Sequence, residues 1–248
     1  MQIFPNKWAG HDWRKSVEYI YARELKKYFS VYGSFYDLEL ESKTTIHCRN
    51  VLEIYRNTYP ALQPDDKKLY CHKPDALFIM MNPGSSKPAQ DDCHIDTLSC
   101  TDLSEQIFEQ CLVPAKPDVT QYQVMRVMMF KQWQHVRVIN LSDIREPKSS
   151  DFVKQVKNFN NPIHSIFSPD RQNELQKALD LPQRAPIICA WGTNKGLSDL
   201  ANLCFKSIPD RKIAGIPAGD CFYYHPLPIL VSKQKEWLSK IMDCLQES

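Results

Sequence analysis

Three short segments of this chain are almost continuously apolar and rich in branched side chains: Ala76–Met81, Val136–Leu141 and Ile187–Trp191. None alternates strictly between polar and apolar positions. A strand with one wet face alternates, so these runs read as strands covered on both faces, the environment of a parallel sheet. Helical patterns separate and follow them. "TQYQVMRVMMFKQW" (Thr120–Trp133) opens on a threonine suited to N-capping and puts Val124, Val127 and Met128 on one face. Arg171–Leu181, Asn194–Ile208 and Lys233–Gln246 follow, the last repeating apolar residues at Trp237, Ile241 and Leu245. Strands alternating with helices predict an α/β fold, a three-layer α/β/α sandwich around a short, mostly parallel central sheet.

The first part of the chain has another texture. Asp12–Tyr32 and Thr44–Tyr59 read as tyrosine-rich amphipathic helices, and "PALQPDDKK" as a turn before the first strand. The expected organisation is therefore an N-terminal helical extension, residues 1–74, packed on a core domain of residues 75–248. No apolar run reaches the length of a membrane span, and the N-terminus lacks the pattern of a signal peptide. Nine cysteines without a C-x-x-C pair suit reduced thiols, so the expected compartment is the cytoplasm. A formal net charge of +2 permits a local phosphate-binding face without requiring one.

Ligands of open parallel sheets bind where loops leave the carboxyl ends of the strands. Here those ends carry Asn82-Pro83-Gly84 after the first strand and Asn140 in the second, while His225 stands in "CFYYHPLPIL" further on. Two amides and an imidazole suit a planar heterocycle better than a metal or a phosphate. Each has an ordinary structural reading: an asparagine after a strand usually caps a turn, and a histidine before proline is usually a satisfied packing residue. Cys93, Cys100 and Cys111 fit neither zinc nor cluster spacing, although Cys93 beside His94 keeps a small claim on a metal. "NPGSSKP" lacks the spacing of a nucleotide phosphate loop, and Cys221 with His225 makes a weak nucleophile pair.

Taken in order, these motifs resemble the uracil-DNA glycosylase superfamily. "MMNPG" (Met80–Gly84) is similar to its G-M-N-P-G or G-I-N-P-G signature and "HPLPI" (His225–Ile229) to its H-P-S-P-L signature. "VINL" (Val138–Leu141) and "AWG" (Ala190–Gly192) fall where that superfamily has its base-reading strand and its L-W-G strand. The set N-P-G, N-L-S-D-I-R, W-G, H-P-L also resembles a bacterial and phage domain family with N-P-S, N-L-x-x-x-R, W-G and H-P-L motifs. The likeness runs from about Asp75 to the C-terminus. Met80 replaces the first glycine, Leu227 replaces a phosphate-binding serine, and residues before Asp75 have no counterpart.

The resemblance implies a monomeric, monofunctional DNA glycosylase that flips a nucleotide out of the stack and needs neither cofactor nor metal. It assigns Asn82 to the attacking water and neutral His225 to the base oxygen on which negative charge grows. Asn140 would read the base edge, with Met81 and Gly84 beside the base. Ile229 would wedge into the stack, and Leu227, Ser85, Ser86, Lys87 and Arg145 would contact DNA. The strict uracil enzymes place a tyrosine near Gly84, so the glycine is expected to leave the C5 side of a pyrimidine open. That points to a 5-substituted base, glucosylated hydroxymethylcytosine included, excised in defence against phage. The alternatives are a uracil enzyme of base-excision repair, an enzyme of free nucleosides or nucleotides, and a non-catalytic DNA-binding protein of the same fold.

Overall fold

A computed structural model describes residues 19–58, 68–104, 111–160, 162–208, 211 and 213–246. In chain order the elements are α1 (Ala22–Leu25), β1 (Phe29–Glu39), β2 (Thr45–Arg56), β3 (Ala76–Met80), β4 (Lys87–Pro88), β5 (Asp96–Ser99) and β6 (Val113–Lys116). Then follow α2 (Gln121–Lys131), β7 (His135–Asn140), α3 (Ser149–Lys157), α4 (Gln172–Ala178), β8 (Ile187–Cys189), α5 (Ser198–Ser207), β9 (Ile213–Ala214) and α6 (Val231–Cys244). The strands run β4-β6-β1-β2-β7-β3-β8-β9 across one mixed sheet, with β5 alongside β1.

The three apolar runs do form neighbouring parallel strands: β3 lies between β7 and β8, and β9 continues the parallel half. Both faces of this half are covered. Ala76, Phe78 and Met80 of β3 pack with α2 and α6, while Leu77 and Ile79 pack with α3, α4 and α5 on the other face. Phe78 and Ile79 have no exposed surface. Full burial of one such side chain stabilises by about 1.5–3 kcal/mol, which explains the lack of alternation in the sequence.

The expected short, mostly parallel sheet is corrected by the N-terminal half. Only Ala22–Leu25 of the Asp12–Tyr32 segment is helical, residues 12–18 and 59 lying outside the described residues. Phe29–Glu39 and Thr45–Arg56 are long strands forming an antiparallel hairpin, and Leu52–Tyr55 pairs with His135–Val138 of β7. Residues 29–39 and 45–56 are thus strands of the sheet, where a helical extension packed against it was expected.

A β-bulge accounts for the misreading. Ser34 pairs with Val51 but Phe35 pairs with Arg49, leaving Asn50 without an opposite number. The extra residue turns the strand by one position, so Cys48 and Val51, three apart, reach the same core. Leu52 and Ile54 pack into the core on the opposite face. Three-residue spacing beside an apolar run imitates a helical period. The aromatic and β-branched content of both segments favoured strands throughout.

Beneath the hairpin, a buried charge network holds the loop that follows β7. Arg171 donates to Asp143 at 2.6 Å and to Glu174 at 2.7 and 2.9 Å, and the Tyr36 hydroxyl donates to Asp143 at 2.8 Å. Burial pushes the Asp143 carboxyl up to about 6 despite the opposing pull of Arg171. Asn50, the bulged residue, donates its amide to Glu174 at 2.8 Å. The bulge and the loop after β7 are therefore braced by one network.

Candidate functional site

A cleft of about 610 Å³ opens at the carboxyl ends of β3, β7 and β8. Register places it there: Met80 of β3 is level with Asn140 of β7, and Leu141 N–H donates to the Met80 carbonyl at 2.8 Å. The end of β8 is tied to the histidine segment by Gly192 N–H donating to the Tyr223 carbonyl at 2.8 Å. Asn82, Asn140 and His225, separated in sequence, consequently line one cleft together with Met81, Gly84, Ser85 and Leu227.

Asn82 is half-buried and rigidly oriented. Its Nδ2 donates to the carbonyls of Ile144 at 3.2 Å and Glu146 at 2.7 Å, in the loop after β7. Oδ1 is left as an acceptor without a partner among the described residues. An asparagine held in this way presents one acceptor and cannot exchange it for a donor by rotating its amide.

His225 is uncharged across the ordinary pH range. Burial lowers its pKa to about 4, and the Leu227 N–H that donates to Nδ1 at 3.2 Å also favours the neutral ring. Because Nδ1 accepts, the proton of the neutral ring resides on Nε2, a donor without a partner among the described residues. Asn82 and His225 therefore supply one fixed acceptor and one neutral donor.

Asn140 departs from the expected role. It is fully buried, and its amide is satisfied by the protein: Nδ2 donates to the Asn82 carbonyl at 3.2 Å and Oδ1 accepts from Arg49 Nη2 at 3.1 Å. With no exposed surface it holds the Asn82 turn and Arg49 in place and does not present its amide to a base edge.

Gly84 is also explained differently. Its φ of +62° lies in the left-handed region, and a Cβ there would stand 2.7 Å from Asp118 Oδ2. The space expected to be open beside a base is bordered by a carboxylate.

Asp118 and Arg49 are the cleft residues that sequence reading missed. Asp118 Oδ1 accepts from Thr120 N–H at 2.9 Å and Gln121 N–H at 3.2 Å, and Gln121 Oε1 accepts from Asp118 N–H at 2.9 Å. The capping of α2 thus belongs to Asp118, and Thr120 makes no side-chain cap. Burial pushes the Asp118 carboxyl up; Arg49 and the amides of Gln121 and Thr120 pull it down. Arg49 is 1% exposed, and its Nε and Nη1 have no hydrogen-bond partner among the described residues. Burial lowers its pKa to about 10 against the pull of Asp118. The signal for Asp118 was the acid-x-Thr-Gln sequence at a helix start; nothing local pointed to Arg49.

The remaining expected DNA contacts divide. Ser85 and Leu227 line the cleft, and Ile229 is 98% exposed, followed by the exposed Leu230 and Val231 at the start of α6. Lys87 is exposed on β4, its Nζ 3.8 Å from Asp91. Ser86 is fully buried and offers no surface to a nucleic acid. Arg145 is turned inward, donating Nε to the Ser86 carbonyl at 2.7 Å with its guanidinium over the Phe35 ring. It braces the Asn-Pro-Gly turn where a phosphate contact was expected.

Among the described residues, no three His, Cys, Asp or Glu side chains gather as a metal site, and no helix is long and apolar enough to cross a membrane. Comparison of the chain with family models, curated proteins and solved structures finds no match.

Proposed function

We propose that this cleft hydrolyses the N-glycosidic bond of a flipped-out nucleotide in DNA and leaves an abasic site. Cleaving that bond develops positive charge on the sugar and negative charge on the departing base, so a catalyst needs an acceptor for water and a donor for the base. The observation that carries the reading is the locked Asn82 amide, whose free Oδ1 shares a cleft with the neutral Nε2–H of His225. Asn82 Oδ1 orients the water beside C1′. His225 Nε2–H meets the base oxygen as its charge grows. A neutral donor gains strength along this path without attracting the neutral substrate equally. Ile229, exposed and two residues beyond the cleft residue Leu227, fills the gap in the stack.

The cleft has room for a base larger than uracil. We therefore place a 5-substituted pyrimidine in it, glucosylated hydroxymethylcytosine foremost, with defence against phage DNA as the setting and the cytoplasm as the compartment. The protein acts as a monomer. Purified protein is incubated with oligonucleotides carrying uracil, mismatched thymine, hydroxymethylcytosine or its glucosylated form, then treated with alkali to cut abasic sites. Cleavage at a 5-substituted pyrimidine is expected, and Asn82→Ala should lower it at least ~100-fold. Cleavage at uracil alone would turn the reading to base-excision repair. Tight DNA binding without cleavage at any base would replace it by a binding protein.

A further inference from the structure

We propose that Asp118 is a further catalytic residue, the carboxylate that takes a proton from the attacking water and faces the positive charge on the sugar. The inference rests on the glycosylase reading above and extends it, since Asn82 orients water but an amide cannot accept its proton.

Position is the first argument. Asp118 lines the same cleft as Asn82, and its Oδ2 lies against Gly84, two residues beyond that asparagine. The left-handed backbone and missing side chain at Gly84 are what admit the carboxylate to the turn. The second argument is rigidity. With Oδ1 engaged by two amides at the start of α2, the carboxylate has one orientation, and Oδ2 stays on the cleft side.

Charge is the third. Arg49 is buried beside the cleft, with two guanidinium nitrogens unpaired among the described residues and Nη2 held by Asn140. The bulge at Asn50 places it there: paired with Phe35, Arg49 shares the sheet face that carries α2, whereas regular pairing would turn it to the other. A buried guanidinium near a carboxylate keeps that carboxylate ionised in a partly dry site. Arg49 is in this sense a positioning residue. Of the groups lining the cleft, Arg49, Asp118 and His225 titrate, and His225 is already neutral, so Asp118 is the base available near neutral pH.

The step balances without any other reactant. The C1′–N bond breaks and its electron pair leaves with the base, whose oxygen accepts from His225 Nε2–H. The water oxygen bonds to C1′ and one water proton passes to Asp118 Oδ2. Asp118 returns that proton to solvent, and the released base anion is protonated by solvent.

The test uses Asp118→Asn, which preserves shape and a side-chain oxygen for the α2 amides. On the cleaved substrate, kcat should fall ~100-fold or more, within the range of general-base contributions. The acid limb of the wild-type pH profile should disappear with it. A second measurement does not depend on the identity of the base: binding of oligonucleotides carrying an uncharged tetrahydrofuran or a cationic pyrrolidine in place of the nucleoside. Wild type should bind the cationic analogue at least ~10-fold more tightly, and Asp118→Asn should bind both alike, with tetrahydrofuran affinity unchanged. If the variant keeps both its rate and its preference for the cation, the role of Asp118 is refuted while the glycosylase reading stands. If wild type binds neither analogue, both fall together.

Discussion

Gly84→Ala tests the arrangement at the centre of the cleft. An L-residue in the left-handed region costs about 1–2 kcal/mol relative to glycine. At φ +62° that term applies in full, whatever the surroundings. The new Cβ would also stand 2.7 Å from Asp118 Oδ2, closer than a carbon and an oxygen can approach, so the carboxylate must move. Moving it breaks its bonds to the Thr120 and Gln121 amides, a cap worth about 1 kcal/mol. The total is roughly 2–3 kcal/mol, a fall in Tm of about 5–10 °C for a domain of this size. Asp118→Ala removes the cap by itself and should cost about 1 kcal/mol. In the double variant the collision is absent and the cap is lost only once, so the two effects should fall short of additive by about 1 kcal/mol. Urea denaturation of wild type, the two single variants and the double variant closes the cycle. A Gly84→Ala penalty below about 0.5 kcal/mol, or strict additivity, would refute the placement of Asp118 against the turn.

Other expectations concern His225 and Ile229. The imidazole of His225 should titrate near pH 4 by NMR, well below the 6.5 of an unperturbed ring. The unfolded chain binds that proton at higher pH than the folded one, so this group's share of stability is full above about pH 6.5 and declines as pH falls toward 4. A midpoint near 6.5 would remove the neutral donor from the mechanism. Ile229→Ala should change stability by less than about 0.5 kcal/mol because the side chain is 98% exposed, yet weaken binding to duplex DNA that holds an abasic analogue. Unchanged affinity would deny it a place in the stack.

Much of the parallel half is legible in the sequence alone. The runs at Ala76, Val136 and Ile187 are apolar because both faces of β3, β7 and β8 are covered, and that demand is written residue by residue. Strand ends are equally local, which is why Asn82 could be singled out; His225 stood out by its H-P-L-P-I motif, and the two do share a cleft. The hairpin was not legible. Its pairing partners lie on β7 and β6, and the bulge at Asn50 breaks the two-residue period by which a strand is recognised.

What only tertiary structure decided is the charge of the site. Asn140 looked like a free amide in sequence, but β7 is an interior strand whose end is sealed by the Asn82 turn and by Arg49. Asp118 looked like an ordinary turn residue before a helix, and Arg49 like one basic residue among many. They border the same cleft because a bulge rotates one strand and because Gly84, lacking a side chain, lets a carboxylate approach the turn. Hydrophobic burial acts through each residue's own side chain and leaves a periodic trace along the chain. The influence of a buried cation on a cleft carboxylate depends on distances between remote segments, and no local pattern records such distances.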